Sequence, residues 1–243
     1  MSTYVYGITR SAHPLRVDER TGVGAEPAPL RVIKSDGLAA VVSDAPDGLR
    51  PKRRDLEAHE DVLETLQDDG TVLPMRFGSL APDDTAVRRE LDERASWYDE
   101  RLTSLDGRRE VNVKAFHRED AVLAGMLADR EDLRKANEAM RASGGGDQAQ
   151  QLQFGEKVAA ALEDVRARDS AQLLAVLRPY ATDEYQGPPV DGAFLNVSLL
   201  VDADQEAGLR EAAEDLGQRA EQVVELRVSD PLPPYSFVVP AGG

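Results

Sequence analysis

"REVNVKAF", residues 109–116, sets Val111, Val113 and Ala115 against polar neighbours, the two-residue period of a strand with one buried face. Asp106-Gly107 just ahead of it is a turn signal, which places a domain boundary there. Beyond the strand, two helical stretches at about 119–142 and 148–182 flank "SGGGD" (143–147). The second carries Leu152, Val158, Leu162, Val165, Leu173, Val176 and Tyr180, and a glycine joint lets two such helices fold back as a hairpin. A strand ("AFLNVSLLV", 193–201), a helix (204–222) and a last strand ("VVELRVS", 223–229) follow. The order β, α-hairpin, β, α, β predicts a modified ferredoxin-like domain, with one strand missing or displaced and helices on one face of the sheet.

Upstream, "TYVYGIT" (3–9), "LRVIK" (30–34) and "GLAAVVSD" (37–44) read as three strands, the last two joined at Asp36-Gly37, with "RTGVGAEPAPL" as a surface loop. Leu56, His59, Leu63 and Leu66 recur at helical spacing after Pro51 until Gly70 stops the pattern. "TVLPMRFGSL" (71–80) is an apolar extended run. "PDDTAVRRELDERASWYDERLTSLDG" then restarts one helix, whose acidic first turn suits its dipole and whose Val87, Leu91, Ala95, Tyr98, Leu102 and Leu105 form a narrow seam. The fold class is therefore α+β in two domains. A mixed α/β domain with a small sheet spans 1–106, the ferredoxin-like domain with its long helical hairpin spans 107–229, and a tail covers 230–243.

A net charge of −16, from 45 acidic and 29 basic residues, argues against nucleic acid or an anionic bilayer as partner. Only five of the basic residues are lysine, which fits a GC-rich codon bias better than arginine-based recognition. Cysteine is absent, so there is neither a disulfide framework nor a thiolate metal site. The opening "MSTYVYGITRSAHP" has no basic patch leading into an apolar run and no stretch approaches a membrane span, so the expected location is cytoplasmic.

Motifs for chemistry are sparse. The three histidines (13, 59 and 117) have no metal-ligand spacing, and His59 reads as a hydrogen-bonded packing residue on the apolar side of its helix. "GVG" at 22–24 is followed by Pro27 and Pro29 where a dinucleotide loop needs a helix, and "RFGSL" lacks the glycines of a nucleophile elbow. Clustered carboxylates such as "QDDG" and "PDDT" read as a solvated face, so no enzymatic activity, metal or cofactor is expected.

Two stretches stand out. Pro74 puts "TVLPMRFGSL" at a sheet edge or bulge, with Met75 and Phe77 on one face and Arg76 on the other. Arg76 either pairs with a glutamate such as Glu57 or Glu60 or contacts a ligand. In "DPLPPYSFVVP" (230–240), Pro233 and Pro234 favour an extended backbone from which Tyr235 and Phe237 project to the same side, docking the tail across the domain junction. Pro231 and Pro234 also satisfy PxxP, for which an internal dock is preferred over an SH3-type partner.

The combination of "YVYGI", "RDLEAHEDVLETLQDDGTVLPMRFGSL" and "DPLPPYSFV", in this order over essentially the whole chain, resembles the gas vesicle protein F/L family. The tail departs from the family in reading Asp230, Pro231 and Leu232 where glycine and tryptophan are frequent. The resemblance implies an accessory or minor structural protein of gas vesicle assembly, with two α+β domains and no cofactor. The partner it suggests is the hydrophobic major shell protein, with other gas vesicle proteins as further candidates. A soluble acidic protein with an open sheet edge is suited to hold such a subunit dispersed during nucleation or growth. Tyr4, Tyr6, Met75, Arg76 and Phe77 in the N-terminal domain are the expected contacts. The rivals are a ligand-sensing or enzymatic module on the ferredoxin-like scaffold, and an oligomer seam along the hairpin at Leu162.

Overall fold

The computed structural model describes residues 2–18, 20–142 and 144–238. Ser143 of the glycine joint and residues 239–243 of the tail lie outside them. The chain is a mixed α/β protein with two antiparallel sheets, and it divides into two compact units. Of the described residues, those within 2–111, 200–203 and 231–238 form the first, and those within 112–199 and 204–230 the second. The division differs from a cut at 106: it falls inside a strand, and residues 231–238 belong with the beginning of the chain.

In the first unit β1 (Thr3–Arg10), β2 (Arg31–Ser35), β3 (Leu38–Asp44), β4 (Leu73–Pro74) and β5 (Leu80–Ala81) make one sheet, in the order β2-β3-β1-β4 with β5 also on β1. The run "LAAVV" of β3 is buried on both faces because helices cover both. α2 (Asp84–Glu93) and α3 (Ala95–Ser104) bring Val87, Leu91, Tyr98 and Leu102 against Ile8, Ile33, Leu38, Ala40 and Val42. α1 (Arg53–Asp69) brings Val62, Leu63 and Leu66 against Tyr4, Tyr6 and Val41 on the other face.

The register of β1 on β3 shifts between Val5 and Gly7, a bulge at Tyr6. Val5 and Ile8, three residues apart, therefore pack on the same face while Tyr4 and Tyr6 share the opposite one. At Gly7 the backbone of β1 lies close under Leu63 of α1 and the chain entering β4. A Cβ there would lie 2.7 Å from Val72 Cγ2, 3.0 Å from Leu63 Cδ2 and 3.2 Å from the Leu73 carbonyl oxygen.

The helical stretch predicted through 84–105 keeps its seam but not its continuity. It breaks at Arg94, whose guanidinium stacks 4.7 Å over Trp97 and pairs with Glu90 at 3.2 Å. Thr3 and Arg31 both donate to Asp84 at the start of α2, Arg31 through two nitrogens at 2.9 and 2.7 Å, and these bonds hold the Asp84 carboxyl down to about 2.

The second unit holds most of β6 (Arg108–His117) and β8 (Ala193–Asp202), together with β7 (Asp183–Gln186) and β9 (Val224–Val228), in the order β7-β8-β6-β9. β7 is a fourth strand where three were expected. All four of its residues are exposed and polar or aromatic, so "DEYQ" carries no alternation to read. The first arm of the predicted hairpin is also two helices, α4 (Glu119–Asp129) and α5 (Glu131–Ala142), parted at Arg130. There the backbone turns extended, and the guanidinium pairs with Asp132 at 3.0 Å and Asp164 at 3.5 Å. The break seats Leu133 with Val122, Met126 and Ala161 of α6 (Gln148–Leu177). α7 (Glu206–Ala220) completes the unit.

Candidate partner-binding edge

β4 and β5 lie end to end along β1, pairing Leu73 with Ile8, Pro74 with Gly7, Leu80 with Tyr4 and Ala81 with Thr3. Proline at this position is consistent with an edge, since it gives no N–H to a further strand. Between the two bridges the chain bulges out as a turn. Met75 N–H still donates to Tyr6 O at 2.8 Å and Val5 N–H to Ser79 O at 3.0 Å, while Ser79 N–H closes on Arg76 O at 3.1 Å. Gly78 has φ of 86°, the left-handed region that glycine enters without strain.

The turn destroys the alternation that a straight strand would impose. Met75 packs against the core face that holds Ile8, whereas Phe77 packs against the opposite one with Tyr4. They therefore do not share a side, as the extended reading had them. Arg76 stands exposed at the apex. Neither expected pairing with Glu57 or Glu60 forms; Glu57 is instead held by Arg53 at 2.7 Å. Leu80, just past the turn, is 58% exposed.

Tyr4 and Tyr6 require a correction. Each is 0% exposed, so neither offers surface to a partner; α1 covers the face they share. Their rings lie 4.8 Å apart, the Tyr6 ring stacks on His59 at 5.6 Å, and the Tyr4 ring meets Phe77 edge-on at 6.0 Å. Tyr6 Oη accepts Val23 N–H at 2.9 Å and lies 3.1 Å from Ser43 Oγ. Burial pushes both phenols above the usual tyrosine range and pushes His59 below the usual histidine value. Asp55, one helical turn before His59, is buried as well and accepts Gly24 N–H at 3.0 Å, which ties down the loop after β1.

The model of the gas vesicle synthesis protein GvpL/GvpF family matches residues 2–239. The chain belongs to this family. It is 50% identical over 238 residues to gas vesicle protein F of Streptomyces sp. (strain CB03234), covering 98% of this chain and 100% of that one. It is 26% identical to gas vesicle protein L1 of Halobacterium salinarum, covering 90% of this chain and 84% of the relative. In fold it is similar to the crystal structure of GvpF from Anabaena sp. PCC7120, with a TM-score of 0.83 at 24% identity over 99% of both chains. Membership assigns a role in gas vesicles, and these relatives are named as gas vesicle proteins rather than enzymes.

In this GvpL/GvpF chain the tail is held by a residue that the sequence reading missed. Glu110 of β6 is 4% exposed; its carboxylate accepts Ser236 N–H at 2.8 Å and Ser236 Oγ–H at 2.7 Å. Its backbone exchanges two bonds with Leu232, at 2.9 and 2.8 Å. Pro233 and Pro234 are buried, and Tyr235–Phe237 form a 3₁₀ turn instead of an extended segment. Three residues per turn swing residues two apart by roughly 240°. Phe237, 7% exposed, accordingly packs in the cluster of Ile8 and Leu200, and Tyr235 packs against that of Tyr4. Burial, and next to it the charge of Glu60, raises the Tyr235 phenol.

Among the described residues no group of three or more His, Asp or Glu is placed to hold a metal ion, and no helix is long and apolar enough to cross a membrane.

Proposed function

We propose that this chain binds the hydrophobic major shell protein of the gas vesicle during its nucleation or growth, through the β4–turn–β5 edge, and works in the cytoplasm. The observation that carries the reading is the edge itself: an exposed guanidinium flanked by half-buried Met75 and Phe77 and followed by the exposed Leu80, on a backbone bonded to β1 from behind. Large apolar and arginine side chains on a rigid support are what binding hot spots are made of. The greater likeness to the Streptomyces F protein, 50% against 28% for the L protein of the same strain, supports an F-type role. For the second unit we adopt the ferredoxin-like reading, which is supported by the order β7-β8-β6-β9 with helical crossovers after β6 and after β8.

A truncation at 106 would strip Leu200 and Phe237 from the first core, so the test uses the full chain. With the major shell protein co-expressed, Leu80→Asp and Arg76→Glu are each expected to lower its capture about tenfold or more, equivalent to ~1.4 kcal/mol. Capture at wild-type level by both variants removes the edge from the interface.

A further inference from the structure

Both ends of the Met75–Ser79 turn are bonded to one buried pair. His59 Nε2 lies 3.0 Å from Met75 O, Tyr4 Oη lies 3.0 Å from His59 Nδ1, and Gly78 N–H donates to Tyr4 Oη at 3.1 Å. The chemistry fixes every direction. A carbonyl only accepts, so Nε2 carries the hydrogen; a neutral ring then has its lone pair at Nδ1, and the Tyr4 hydroxyl must donate there. The oxygen of that hydroxyl remains free to accept the Gly78 amide. The chain of bonds is complete with a single proton on the imidazole.

We propose that His59 and Tyr4 are positioning residues for the binding edge: together they hold the turn that presents Arg76, and a second proton on the ring releases it. The inference rests on the edge reading above. A hydrogen at Nδ1 faces the Tyr4 O–H donor. To accept from the ring, the hydroxyl must turn its own hydrogen into a pocket where Tyr4 is 0% exposed, leaving that donor without a partner.

The surrounding groups do not compensate for the added charge. From β1 come Tyr4 and Tyr6, whose phenols are kept protonated by burial. On α1, Asp55 is already engaged by Gly24 N–H and by Arg54 at 3.0 Å, and Glu60 is exposed. Arg76 of the turn has the same sign as a protonated ring, and Tyr235 of the tail is a raised, neutral phenol.

The sign follows from burial, which lowers the His59 value from 6.5 in the folded state. The released form therefore takes up the proton more readily, and the clamp weakens as pH falls below 6.5, by at most about tenfold per pH unit for one proton.

The experiment is amide hydrogen exchange on the full chain between about pH 7.5 and about pH 5, corrected for intrinsic rates, with β8 as internal reference. In the wild type, protection of 76–79 is expected to fall about tenfold or more relative to β8 across that window. His59→Gln, which keeps a donor and cannot titrate, is expected to flatten the dependence. Tyr4→Phe removes one oxygen from the chain of bonds and is expected to loosen the turn already at neutral pH. Protection of 76–79 that is independent of pH, an undiminished pH dependence in His59→Gln, or an unaltered turn in Tyr4→Phe each overturns the proposal.

None of these measurements involves the shell protein, so they separate the clamp from the edge reading. Wild-type capture by Leu80→Asp and Arg76→Glu removes the edge reading. Wild-type capture by Tyr4→Phe with a loosened turn removes the positioning role.

Discussion

Between Met75 and Ser79 the backbone follows no regular element, yet its Met75 N–H and carbonyl, its Gly78 N–H and its Ser79 carbonyl are all bonded to β1 or α1. α6 is the reverse case, 30 residues of unbroken helix in which only Ala161, Leu173, Leu174 and Leu177 are buried, none of them in its first three turns. The turn owes its shape to partners distant in sequence, whereas the first three turns of α6, which bury no residue, lean on their own ladder and on the Asp147–Gln150 capping box. Regularity and fixity are thus different properties in this molecule. A surface intended to meet a partner in one conformation is better built on the first kind of support.

The contrast is broken most severely by removing what the tail contributes to the first core. Phe237→Ala deletes a ring that is 7% exposed among Ile8, Leu38 and Leu200, and a phenylalanine truncated in such a setting costs about 3–5 kcal/mol. Urea unfolding of the full chain should show that loss, together with an earlier transition of the first unit if the two units separate. A loss below about 1 kcal/mol would mean that the ring is not part of that core.

Gly7→Ala is the next test. The added methyl would meet Val72 Cγ2 at 2.7 Å and Leu63 Cδ2 at 3.0 Å, with the Leu73 carbonyl at 3.2 Å behind them. Side chains can yield, but a backbone carbonyl on the edge strand yields only if β4 shifts. Overpacking of this kind costs about 1–3 kcal/mol, and it should loosen the Met75–Ser79 turn as well. A stability loss with the turn's exchange unchanged would show that β4 and the turn are independent.

How much of this was legible in the sequence depends on how far away the partner lay. Pro74 announced an edge by itself, and Val87, Leu91, Tyr98, Leu102 and Leu105 announced a buried seam by their spacing. The breaks at Arg94 and Arg130 were not announced, because neither residue is glycine or proline; Glu90 and Trp97 beside Arg94 and Asp132 beside Arg130 are near neighbours that suit a continuous helix as well, and only Asp164 is brought by the fold. The tyrosines of β1 were read as surface because a strand alternates and one face was expected to be open, whereas this sheet is covered on both faces and α1 buries the side that Tyr4 and Tyr6 share. Glu110 was invisible for a different reason: its partner Ser236 is 126 residues away, and a lone glutamate in a strand reads as a solvated residue. Its burial beside the tail follows from pairing, as buried carboxylates require.

The smallest expected effect sharpens the other side of the comparison. Leu152 lies in the first turns of α6 and is 65% exposed, so Leu152→Ala removes little area from water-excluded contact and replaces leucine with a better helix former. The two terms nearly offset, and stability should change by less than about 0.5 kcal/mol. A loss several times larger, read by the same urea unfolding, would show that this stretch of helix buries its leucine against something in solution, as an oligomer seam along the hairpin requires. Light scattering on the wild type would then have to report a mass above that of one chain, and the mass of a single chain in both proteins would remove the oligomer seam.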